Sequence, residues 1–110
     1  MGRDRFVNRG DIYRVRPPKT SGHEQQGARY AVIVQSDDLL RLSTVVVAPT
    51  SRSARAATFR PTIGIRGEST RVLVDQMTAI DARRLGTRFG RLDVEDLWSL
   101  DDAVRTVLAV

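Results

Sequence analysis

Two short runs rich in β-branched residues, Ala31-Val32-Ile33-Val34 and Thr44-Val45-Val46-Val47-Ala48, constrain this chain most. Side chains branched at Cβ are stiff at χ1 and pack well on a pleated surface, and such runs are too short for an ordinary helix. Both are read as strands, and the continuous apolar character of Ala31 to Val34 is that of a strand covered on both faces. Asp11-Ile12-Tyr13-Arg14-Val15-Arg16 alternates instead, the pattern of a half-buried strand, and Pro17-Pro18 ends it because neither proline can donate to a ladder.

The remaining elements follow from punctuation and spacing. Pro17 to Ala28 forms a 12-residue connection, longer than the usual ~4–6, and such loops often carry function. Ser36 can cap a short helical segment, Asp37 to Arg41. The strand at Thr44 is expected to stop at Pro49-Thr50, leaving Ser51 to Arg55 as a basic loop. Thr58 to Ile65 and Arg71 to Asp75 read as further strands, with bends at Gly64 and Gly67, and Pro61 places the earlier one at an edge or bulge. Asp81 caps a turn through Arg84, closed by Gly86, before a last strand from Thr87 to Leu92. From Asp93 to Leu108 the apolar residues Val94, Leu97, Trp98, Val104, Val107 and Leu108 recur near helical spacing, with Asp93 as cap and Glu95 and Asp96 where the helix dipole favours carboxylates. Trp98 is expected in the core. The expectation is a mainly β fold with small helices: an SH3-like small antiparallel barrel with a C-terminal amphipathic helix, in one domain over 1–110, with 1–8 a flexible leader.

Charge narrows the partner. The chain carries 18 Lys and Arg against 13 Asp and Glu, a net +5. Residues 1–71 hold 13 of the cations and 6 of the carboxylates, whereas residues 72–110 hold 5 and 7. Lys19 is the only lysine, so the basic face is built of guanidiniums, which grip phosphate through paired hydrogen bonds. Nucleic acid is the natural polyanionic partner, the alternative being a solvated arginine-rich surface. No apolar run approaches the roughly 20 residues of a membrane span, and no secretion signal opens the chain, so a cytoplasmic protein without a membrane partner is expected.

Several chemistries are excluded by residue type. With one histidine and no cysteine, neither a thiolate nucleophile nor a zinc site is supported, and no metal or other cofactor is expected. Glycine-rich phosphate cradles and the Gly-x-Ser-x-Gly elbow are absent. What remains is chemistry by His, Arg, Thr and carboxylates. His23, isolated in the long loop, is either solvated or a base. Arg29 opens a buried strand, where its charge needs a carboxylate partner or a bound anion. Thr50 either caps backbone or presents its hydroxyl to a ligand.

Taken in order, Arg9-Gly10-Asp11-Ile12-Tyr13, Gly22-His23-Glu24-Gln25-Gln26-Gly27-Ala28-Arg29, Val32-Ile33-Val34, Val45-Val46-Val47-Ala48-Pro49-Thr50-Ser51 and Asp75-Gln76-Met77-Thr78-Ala79-Ile80-Asp81 resemble the successive blocks of the MazF/PemK/Kid toxins. The resemblance runs from about Arg9 to the C-terminus. It implies a sequence-specific, metal-independent endoribonuclease acting on single-stranded RNA, a homodimer held inactive by an acidic, partly disordered antitoxin of the MazE/PemI kind. By position, Arg29 and Thr50 match the family's catalytic arginine and threonine, His23 a histidine of the PemK/Kid branch, and Asp75 and Gln76 active-site or RNA-contacting positions. Glu24, Gln25, Ser51, Arg52 and Arg55 are assigned with Gln76 to RNA binding. Leu73 stands where that branch has a catalytic arginine, Tyr30 replaces a usual proline, and Thr78-Ala79 replaces a frequent Arg-Thr pair. Two alternatives remain: a gyrase-binding toxin of the CcdB kind, against which the ending Leu108-Ala109-Val110 lacks the Trp-Gly-Ile tail, and a non-catalytic barrel that binds RNA or protein.

Overall fold

The computed structural model describes residues 7–16, 29–37 and 43–110. Among these residues seven strands precede one helix: β1 (Asp11–Val15), β2 (Arg29–Ile33), β3 (Thr44–Ser51), β4 (Thr62–Ile65), β5 (Glu68–Val72), β6 (Thr78–Asp81), β7 (Leu85–Arg91) and α1 (Val94–Leu108). Single 3-10 turns at Val74–Gln76 and Ala82–Arg84 flank β6. Every pairing is antiparallel, in the order β4-β5-β3-β2-β1-β7, with β6 also on β3. The sheet curls into a half-barrel closed by α1, as the strand count and the amphipathic tail predict.

Apolar side chains occupy both faces of the central strands, which accounts for their unbroken apolar runs. One face brings Ile12, Val32, Ala48, Val72 and Val74 against Leu100 and Ala103 of α1; the other gathers Tyr13, Ala31, Ile33, Val45, Val47, Ile80 and Leu85. Val7 packs on this second cluster, and Asn8 hydrogen-bonds to Asp11. Residues 1–6, and positions 38–41 of the helical segment expected after Ser36, lie outside the described residues.

Several expectations are corrected. β3 does not stop at Pro49 but runs through it to Ser51. The proline sits where β3 changes partner: Val47 to Pro49 face β2, whereas Thr50 and Ser51 face Val72 and Arg71 of β5. Its missing N–H is harmless because its carbonyl still accepts from Leu73 N at 2.8 Å. The strand expected at 58–65 begins only at Thr62, since Arg60 N turns back to the Ala57 carbonyl. The strand expected at 71–75 lies instead at 68–72. Arg66 (φ 56°) and Gly67 (φ 79°) form a two-residue turn between Ile65 and Glu68, the geometry that matches strand twist, and β4 and β5 become a hairpin.

At α1, Asp93 caps as expected, its side chain accepting from Asp96 N at 2.8 Å. Trp98 is not core: it is 62% exposed. Leu97, Leu100, Ala103, Val104 and Val107 turn inward, and Trp98 lies a third of a turn from Leu97 at 100° per residue, on the stripe that also carries Val94. The helix approaches Gly10 so closely that a Cβ there would lie 2.7 Å from Leu97 Cδ2, and Gly10 also has φ 90°. Glycine at that point permits both the turn into β1 and the docking of α1.

Candidate active site

Where β3 leaves β2 for β5, the strands part and leave a cleft of about 590 Å3, walled by Arg29, Tyr30, Thr50, Ser51, Arg52, Ser53, Ile65, Arg66, Glu68 and Thr70. Three guanidiniums and one carboxylate therefore face one opening. Arg29 and Thr50, far apart in sequence, are brought to it by the antiparallel pairing of β2 with β3. Arg29 opens β2, which is buried from Ala31 onward, but is itself exposed at the strand end, so the expected cost of a charge there is corrected: it loses little solvation.

Thr50 is buried, and its Oγ1 donates to the Tyr30 carbonyl at 2.9 Å. This side-chain bond ties β3 to β2 directly after a proline that cannot donate. The hydroxyl thus serves the fold, and its remaining lone pairs can still accept. Ser53 N and Oγ both approach Ser51 Oγ, at 3.2 and 3.4 Å, which shapes the start of the basic loop. Arg52 in that loop is paired with Glu68.

Asp75 and Gln76 stand elsewhere. Their 3-10 turn hangs on β3 through the Leu73–Pro49 bond, but neither side chain lines the cleft. Asp75 is engaged by Arg60, whose Nε and Nη2 donate to its two carboxylate oxygens at 3.0 and 2.8 Å. Arg60 also donates to the Arg55 carbonyl at 3.3 Å and lies 5.8 Å from the Phe59 ring centroid. Hydrogen bonding from Arg60 holds the Asp75 carboxyl below the usual aspartate range, with partial burial opposing it. A carboxylate so held is a poor base and a good anchor. Arg55 and Gln76 are exposed beside this pair. His23, Glu24 and Gln25 lie outside the described residues.

Tyr30, Arg66 and Glu68 were not assigned to the site from the sequence, nor was Arg60 as the partner of Asp75. Arg66 had one available signal, an Arg-Gly pair between two strand-like segments, which marks a hairpin tip and so a side chain brought back over the sheet. Among the described residues no group of three or more His, Cys, Asp or Glu side chains is placed to hold a metal ion. Among them, too, no helix is long and apolar enough to cross a membrane.

Comparison with known proteins places this geometry. The model of the PemK-like, MazF-like toxins of type II toxin–antitoxin systems matches residues 8–108. A toxin-type protein of Mycobacterium tuberculosis is 40% identical over 107 residues, spanning 96% of this chain and 100% of its own length. Endoribonuclease EndoA of Bacillus subtilis is 29% identical over 112 residues, covering 96% and 97%. A mycobacterial endoribonuclease solved in complex with its cognate antitoxin superposes with a TM-score of 0.73 at 19% identity, over 94% of this chain and 96% of that one. The chain belongs to the PemK-like, MazF-like toxins of type II toxin–antitoxin systems.

Proposed function

We propose that this toxin is a single-domain, metal-independent endoribonuclease that cuts single-stranded RNA at a preferred sequence in the cytoplasm, and that a cognate antitoxin restrains it. The observation that carries the reading is the meeting of Arg29 and Thr50 at one arginine-rich cleft. It is supported by the names of two relatives, one an endoribonuclease and one an endoribonuclease held by its antitoxin.

The chemistry needs no redox step and no cofactor. The 2′-oxygen of a ribose attacks the adjacent phosphorus, the bond to the 5′-oxygen breaks, and the products are a 2′,3′-cyclic phosphate and a 5′-hydroxyl. A base takes the 2′-proton and an acid returns one to the 5′-oxygen, so protons balance. Arg29 stabilises the charge that grows on the non-bridging oxygens, and Thr50 adds a hydrogen bond to it by swinging its proton from the Tyr30 carbonyl. His23 is the proposed base, imidazole being the side chain that ordinarily exchanges protons near neutral pH. Asp75, being a poor base, acts by fixing Arg60. Ser51 and Arg52, with Arg55, Glu24 and Gln25, contact the flanking chain, and Gln76, able to donate and accept, reads a base edge. Two copies of so small a barrel, side by side as a homodimer, supply a groove long enough for several nucleotides.

Purified protein is incubated with a long unstructured RNA and EDTA, and the new 5′ ends are sequenced. Cleavage at one recurring sequence, leaving 5′-hydroxyl and cyclic-phosphate ends, is expected. A single 2′-deoxy substitution at the cut position should block it, and Arg29→Ala should reduce it on the order of 10²–10³-fold with the fold retained. Cutting next to a 2′-deoxy nucleotide would refute the mechanism.

A further inference from the structure

Two of the chain's six aromatic residues meet at the edge of the cleft. Tyr30 lines it, and its ring meets Phe89 in a T-shaped contact, with centroids 5.5 Å apart and planes at 68°. They come from β2 and β7, on either side of β1. Phe89 is 43% exposed and belongs to neither core cluster, so packing of the interior does not account for it.

Two guanidiniums flank the pair. Arg14, opposite Tyr30 in the β1–β2 register and exposed, lies 5.9 Å from the Tyr30 ring centroid. This is at the outer limit of the roughly 6 Å reach of a cation–π contact, so the ring face is not tightly closed. Arg66 donates to the Tyr30 hydroxyl at 3.5 Å. It does so from the tip of the β4–β5 hairpin, whose two-residue turn sets its φ of 56°.

The exposed Phe89 ring and the half-buried Tyr30 ring at the cleft, with cations beside them, suit a flat π-system carried on an anionic chain. The surface is also continuous with the cleft, because the carbonyl of Tyr30 itself receives the Thr50 hydroxyl. We propose that Tyr30 and Phe89 form a stacking subsite for one nucleobase of single-stranded RNA beside the cleaved bond, with Arg14 and Arg66 on its flanking phosphates. The subsite rests on the endoribonuclease reading and extends it to the recognition of a base.

Single-stranded RNA oligonucleotides with 2-aminopurine at successive positions, and one 2′-deoxy nucleotide at the cut position, are titrated with the protein. Quenching confined to one position next to the cut is expected. Phe89→Leu and Tyr30→Leu should each abolish that quenching and raise KM roughly tenfold with kcat little changed. Tyr30→Phe, which keeps the ring, should retain it. A protein that cleaves RNA without position-dependent quenching overturns the subsite alone. One that quenches but never cleaves unmodified RNA overturns the cleavage reading alone, and one that does neither overturns both. If Phe89→Leu alters sedimentation while quenching persists, Phe89 belongs to a protein interface and the subsite is refuted.

Discussion

Thr50 Oγ1 donates to the carbonyl of Tyr30, so the hydroxyl assigned to catalysis is also the bond that holds β3 on β2 beyond Pro49. Structural demands and those of the proposed catalysis therefore fall on one atom. Thr50→Val, which keeps shape and removes the hydroxyl, leaves the Tyr30 carbonyl unpaired and should cost about 1–3 kcal/mol. Its cleavage rate should fall on the order of 10²-fold. Thr50→Ser should retain most of both. Urea unfolding and single-turnover cleavage measured on the same preparations check this.

Glu68 is the carboxylate among the cleft's lining residues, and it occupies Arg52. In the proposed mode of binding, RNA phosphate competes with it. Both partners are well exposed, so the pair is weak, worth roughly 0–1 kcal/mol. Glu68→Gln should tighten RNA binding by up to about fivefold and steepen its salt dependence, while Arg52→Ala with Arg55→Ala should flatten it. An acidic antitoxin peptide should show the same trends and compete with RNA. Fluorescence anisotropy across a salt series reads all three.

The Arg60–Asp75 pair gives a pH signature. Its hydrogen bonds lower the Asp75 pKa, and Asp81, bound by the Arg83 side chain and backbone, is lowered to about 2. A depressed carboxylate contributes stability above its unfolded value, about 3.9, and loses it as pH falls through the folded value. Denaturation midpoints should therefore be level above about pH 5 and fall towards pH 2, less steeply in Asp75→Asn. Asp75 stays ionised near neutrality, so any acid limb of kcat/KM between about pH 6 and 7 should survive Asp75→Asn and vanish in His23→Ala.

Gly10→Ala tests the docking of the helix. The new Cβ meets Leu97 Cδ2 at 2.7 Å, and the backbone at φ 90° is one that alanine rarely adopts. Destabilisation of about 3 kcal/mol is expected, partly recovered by Leu97→Ala in the same chain. A double-mutant cycle by urea unfolding separates contact from backbone strain.

What the sequence determined by itself is local. The β-branched runs became β2 and β3, the alternation at Asp11 became β1, and Asp81 and Asp93 cap the turn and the helix they precede, because χ1 stiffness and capping bonds act within a few residues. Arg29 and Thr50 were assigned to the site only by their place in the blocks that resemble the toxin family, and their pairing across β2 and β3 brings both to the cleft. Whatever depended on a partner strand was decided only by tertiary structure. Pro49 stays within β3 because β2 and β5 take over on successive residues, and Trp98 faces outward because Leu97, Leu100 and Val104 already fill the space under α1. Arg60 reaches Asp75, Arg52 reaches Glu68 and Arg66 reaches Tyr30 across 15, 16 and 36 residues. Such pairs form only when the strands have set their register, so even where a local pattern marks one member, as Arg66-Gly67 marks a hairpin tip, it does not name the partner.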